Sequence, residues 1–68
     1  MKNEFKKELI ENYLAANNIS KTKFCKLCGI SLYTLQKIIN NNKNYQIAAL
    51  FKIAKLLKIQ VYQMFRKD

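Results

Sequence analysis

Histidine, proline and tryptophan are absent from the 68 residues, glycine occurs once, and only four side chains are acidic. Each shortage excludes something. Without histidine and with only four carboxylates, the chain is poor in the groups on which acid–base and metal-assisted catalysis depend, which nearly rules that chemistry out. A chain this short also leaves little room for an enzyme pocket and the shell that would support it. Without Asn-Gly or a similar pair, the tight turns of an all-β fold are missing. No apolar run approaches the roughly 18–20 residues of a membrane span. The amino-terminal stretch is charged through Glu11 and carries no apolar signal segment. These absences predict one non-enzymatic, cytoplasmic domain over residues 1–68, with no cofactor, no metal and no small-molecule ligand.

What is present is a core and a charge. Half of the residues are hydrophobic, including 8 Leu, 8 Ile, 4 Phe and 4 Tyr, enough apolar surface for a small packed interior. Thirteen Lys and Arg against four Asp and Glu give a formal net charge of +9. Glu4, Glu8 and Glu11 crowd the first 11 residues and Asp68 ends the chain. Between Asn12 and Lys67 there are 10 basic residues and no acidic one. A pI near 9.8 on such a chain points to a polyanionic partner, nucleic acid or an anionic membrane surface.

Apolar residues recur at helical spacing almost throughout, and the pattern predicts an all-α bundle of five short helices. Phe5, Leu9, Ile10, Tyr13 and Leu14 mark a first helix from about Asn3 to Ala16, broken by Asn17-Asn18. Ser20 is a good N-cap for a second, with Phe24, Leu27 and Cys28 inward and Lys21, Lys23 and Lys26 outward. Gly29 stops it, because glycine reaches positive φ without a Cβ penalty, and Ile30 plugs the turn. Ser31 caps a third helix running to about Asn40, with Leu35, Ile38 and Ile39 inward. The polar loop 40–44 leads to a fourth helix, about Gln46 to Leu57, whose expected buried stripe is Ile47, Leu50, Phe51, Ala54 and Leu57, helped by Ile53 and Leu56. After a bend at 58–60, Val61, Met64 and Phe65 close the core.

The stretch from Lys21 to Asn40 carries the functional signal. Two short helices meet at Gly29-Ile30-Ser31, small Cys25 leaves room for a close crossing, and Leu35 and Ile38 pin the second helix to the first. Those constraints describe a helix-turn-helix, whose second helix enters the DNA major groove. On these residues, with Leu50, Ile53, Ala54 and Leu57 and then Ile59-Gln60-Val61 and Met64-Phe65, the segment from Ser20 to Phe65 resembles the lambda-repressor-like helix-turn-helix domain of the Cro and repressor, or XRE, type. It departs from that family at Lys21, where glutamine is usual, at Cys25, where alanine is usual, and near Ile39 and Asn41, where an acidic residue and then glycine are usual.

The helical wheel of residues 32–40 places Leu35, Ile38 and Ile39 on one side and Tyr33, Gln36, Lys37 and Asn40 on the other, with Leu32 and Thr34 at the margins. Leu32, Tyr33, Gln36 and Lys37 are therefore the expected base-contacting residues: Gln suits adenine, Lys guanine, and Leu or Tyr a thymine methyl. Lys21, Thr22 and Lys23, at a helix N-terminus, are expected at phosphates. The resemblance implies the same for Asn40, Asn42, Lys43 and Asn44, while Lys52, Lys55 and Lys58 read as solvating charge.

Cys25 and Cys28 form a CxxC, but two cysteines without histidine fall short of a four-ligand zinc site, and no βαβ setting supports redox chemistry. Buried free thiols are expected. The resulting expectation is a sequence-specific duplex-DNA-binding regulator, a repressor acting as a weak homodimer on an inverted repeat, pairing near Leu56, Ile59, Tyr62 and Phe65. The alternative is a protein-interaction module of the same fold, antitoxin-like or an assembly partner. A membrane-surface role is disfavoured, because the apolar faces fit one mutual core.

Overall fold

The two ends of the chain pair with each other. The computed structural model describes Asn3–Lys67, so Met1, Lys2 and Asp68 of the expected domain 1–68 lie outside the described residues. The element order is β1 (Asn3–Phe5), α1 (Lys7–Asn17), α2 (Lys21–Cys28), α3 (Leu32–Ile39), α4 (Ile47–Leu57), a 3₁₀ turn (Val61–Met64) and β2 (Phe65–Lys67). β1 and β2 are antiparallel, with Asn3 opposite Lys67, Glu4 opposite Arg66 and Phe5 opposite Phe65.

The expected five-helix bundle is corrected accordingly: the described residues form four α-helices, one 3₁₀ turn and a two-stranded sheet. The first helix does not begin at Asn3. Lys6 leaves helical geometry at φ −81° and ψ 83°, and its N–H donates to the Met64 carbonyl at 2.7 Å. Residues 3–5 are thereby drawn into pairing with the far end of the chain. Phe5 is buried and meets the Phe65 ring edge-on at a centroid distance of 5.7 Å. Arg66 of β2 also pairs with Glu8 of α1.

One core takes a side from every element. Ile10, Phe24, Leu35, Ile38, Ile53 and Met64 are its largest fully buried side chains. Two expectations about helix faces fail. Leu27 is 49% exposed, because the inward arc of eight-residue α2 is taken by Phe24, Cys25 and Cys28. On α4, Ile47 and Phe51 are 65% and 60% exposed, while Leu50, Ile53 and Ala54 face inward as expected, joined by Ala49. α4 is apolar nearly all round, so hydrophobicity alone allows more than one rotation. The two small alanines let neighbouring backbone approach closely, and that face goes inside.

All four helices end the same way. A residue in left-handed geometry follows each last turn: Asn18 (φ 53°), Gly29 (φ 80°), Asn41 (φ 61°) and Lys58 (φ 60°). The next N–H then reaches back to a carbonyl of the preceding turn, from Ile19 to Leu14, Ile30 to Cys25, Asn42 to Lys37 and Ile59 to Ala54, at 2.9–3.1 Å. This pattern satisfies carbonyls that would otherwise be orphaned, and a hydrophobic residue just past the left-handed one commonly packs back onto the helix. Ile19, Ile30 and Ile59 do so, each partly buried against the core. α3 is the exception, with polar Asn42 in that place.

Candidate nucleic-acid interface

α3 is held rigidly on one side and left open on the other. Ser31 caps it: the hydroxyl accepts the Thr34 N–H at 3.0 Å and donates to Thr34 Oγ1 at 2.9 Å. Leu35 and Ile38 are 0% and 1% exposed, which fixes the rotation of the helix about its own axis. Opposite them, Tyr33 is 69% exposed, Leu32 is 38% exposed, and Gln36 and Asn40 are exposed. The face therefore carries an amide, a phenol and a branched apolar group, the residue types that meet base edges in a major groove.

Lys37 sits differently from the other three expected base-contacting residues. It is half-buried, its ammonium donates to the Asn44 carbonyl at 2.8 Å, and it lies 4.3 Å from the Tyr33 ring centroid. Lys37 thus ties the loop 40–44 to α3 and holds Tyr33 by a cation–π contact.

The flanks are cationic and amide-rich. Lys21, Thr22 and Lys23 are exposed on the first turn of α2, where Ser20 Oγ accepts the Lys23 N–H at 3.2 Å. Beyond α3, Asn40, Asn42, Lys43 and Asn44 are all exposed in the loop. Asn42 Oδ1 accepts the Asn44 N–H at 2.9 Å, and Lys43 Nζ lies 5.3 Å from the Phe65 ring centroid. The described acidic side chains sit elsewhere, on β1 and α1.

Besides the Lys37–Asn44 tie, sequence reasoning missed two more around this surface. Lys52, read as mere solvating charge, reaches from α4 to the Gly29 carbonyl at 3.3 Å and so braces the helix-turn-helix corner. Beside it a polar cleft of about 600 Å³ opens between that corner and the start of α4, walled by Ser31, Thr34, Lys37, Asn44 and Lys52 among others. The second tie is Asn41, whose Oδ1 accepts the Phe5 N–H at 2.9 Å. Neither had a signal in the sequence, since each depends on residues brought together by the fold.

Cys25 and Cys28 are free thiols in the buried seam of α2. Burial pushes the Cys25 thiol up. Burial first, and the neighbouring Cys25 second, push Cys28 up to about 11. Reactive CxxC pairs have the opposite property, a lowered pKa. Among the described residues no three His, Cys, Asp or Glu side chains gather as a metal site would need, and no helix is long and apolar enough to cross a membrane.

No curated protein and no solved structure matches the chain. A family model does, over residues 10–66, and it describes the Cro/C1-type HTH DNA-binding domain. That match runs from α1 through the 3₁₀ turn into β2, and includes the capped corner and α3. With most of its length matched and the helix-turn-helix geometry in place, the chain belongs to the Cro/C1-type helix-turn-helix DNA-binding family.

Proposed function

We propose that this chain recognises a specific duplex DNA sequence by laying α3 in the major groove, and that it regulates transcription as a repressor by occupying an operator. The observation that carries the reading is the two-sidedness of α3, with Leu35 and Ile38 inside and Tyr33 and Gln36 exposed on the opposite face. Leu32, Tyr33 and Gln36 read base edges. Lys37 joins them by turning a second N–H of its ammonium to a guanine edge while it keeps the Asn44 carbonyl. Lys21, Thr22 and Lys23 on one flank and Asn40, Asn42, Lys43 and Asn44 on the other hold phosphates. The protein acts by binding rather than by catalysis, inside the cell, as a single domain.

One eight-residue reading helix spans few base pairs, so a second copy on an inverted repeat supplies the remaining affinity. Of the residues proposed for that contact, Tyr62 is 75% exposed and has most surface to give, Leu56 and Ile59 are half-buried, and Phe65 is partly spent on Phe5. Exposed Ile47 and Phe51 favour the second reading, a protein-interaction module, because apolar groups one turn apart on a helix suit a protein contact. Selection of bound sequences from random duplexes tests both readings. The first expects an enriched inverted repeat with half-sites about 10 base pairs apart. A pool that enriches for nothing supports the second.

A further inference from the structure

We infer that Asn41 is a positioning residue for DNA binding, setting the loop 40–44 against the phosphate backbone through its hydrogen bond to β1. This rests on the proposed role of that loop at phosphates. The first observation is the odd ending of α3. The other three helices are locked at their ends by an isoleucine packed on the core, and α3 has Asn42 there instead. The loop therefore lacks the apolar plug that fixes its counterparts.

A polar tether takes the plug's place. The left-handed backbone of Asn41 directs its side chain to β1, where Oδ1 accepts the Phe5 N–H at 2.9 Å. Phe5 is itself an anchored point. It is 4% exposed, its ring stacks edge-on against Phe65, and the next N–H, of Lys6, is bonded to the Met64 carbonyl. Two further contacts complete the frame. Lys43 lies over the Phe65 ring, and Asn44 is held by Lys37 of α3. The loop is thus fastened to the reading helix at one end and to the terminal sheet at the other. β1 and β2 set the loop's place although neither belongs to the reading helix.

The test is Asn41→Gly, which keeps the left-handed geometry and removes the acceptor. Asn18→Gly makes the same exchange at the end of α1, where Ile19 supplies the plug. Affinity for the duplex selected by the wild-type protein is measured across a salt titration, with amide exchange followed at Phe5. Asn41→Gly is expected to speed Phe5 exchange, to weaken binding about three- to tenfold per protomer, and to flatten the salt slope by about 0.9 per protomer bound, one phosphate lost at each Lys43 although no charge was changed. Asn18→Gly leaves affinity and slope unchanged. Faster Phe5 exchange with wild-type affinity and slope overturns the proposal, and so does Phe5 exchange that stays unaltered. A wild-type protein that selects no duplex overturns the proposed function, and the proposal with it. Should Asn41→Gly fail to fold, the wild type decides. Coupling is reciprocal, so saturating duplex must slow exchange at Phe5 more than at Ile10 of α1, and equal slowing at both overturns the proposal.

Discussion

Lys58 holds a left-handed backbone at φ 60° that a lysine adopts only at a cost, since its Cβ crowds the carbonyl. Glycine removes that crowding and loses some of the gain to a more flexible unfolded chain. Lys58→Gly is therefore expected to stabilise the domain by about 1 kcal/mol, read as a thermal midpoint raised by about 4–8 °C. The two thiols make another expectation at this scale. With Cys28 pushed up to about 11 by burial, iodoacetamide at pH 8 should leave the native protein almost unlabelled and modify both cysteines once it is unfolded. Rapid native labelling would show that the α2 seam opens. At α3, Gln36→Ala removes an exposed amide that packs against nothing in the core. It should cost about 1–3 kcal/mol on the selected site and relax the preference at one base pair, with an unchanged thermal midpoint. An unaltered selected sequence would move the reading face elsewhere.

Between elements, packing rather than capping decides stability. Leu35 is fully buried where α3 meets α2, and Leu35→Ala should destabilise by about 2–5 kcal/mol, lowering affinity only through loss of fold. The join between α1 and β2 is electrostatic. The Glu8 carboxyl is held below its ordinary value of 4.5 by a hydrogen bond from its own backbone N–H first, and also by the Arg66 guanidinium. A depressed carboxylate contributes stability above its unfolded pKa and loses it as pH falls through the folded one. Glu8→Gln should thus flatten the fall of thermal midpoint below about pH 4.5, and parallel acid limbs in the two proteins would contradict it. The helix-turn-helix was legible in the sequence because its signals act locally: Ser20 and Ser31 bond within three residues, and Gly29 needs only its own backbone freedom. The outward placing of Tyr33 and Gln36 followed from Leu35 and Ile38 by helical spacing alone. β1 was not legible, because Phe5 and Leu9 also fit helical spacing and the competing partner, Phe65, lies at the other end of the chain. The rotation of α4 was hidden by a helix apolar on nearly every side. The Lys37, Lys52 and Asn41 ties were hidden because each ends on a backbone group that only the fold brings near.

Among the described residues the acidic side chains keep to one end: Glu4, Glu8 and Glu11 lie on β1 and α1, alongside Lys6, Lys7 and Arg66. By contrast α2, α3, the loop 40–44 and α4 carry cations only, Lys21, Lys23, Lys37 and Lys43 among them. That separation should orient the protein as it approaches a polyanion and speed the encounter at low salt. The most direct test of sequence-specific recognition through α3 is the affinity for the selected duplex and for a scrambled duplex of equal length, measured together over a salt titration. Each neutralised phosphate contributes a slope of about −0.9, so four lysine contacts per protomer give steep lines for both duplexes. Base reading separates those lines by a factor of about 10³ or more at physiological salt. Two steep, well-separated lines are the predicted result; lines that coincide, or that run flat with salt, would contradict it.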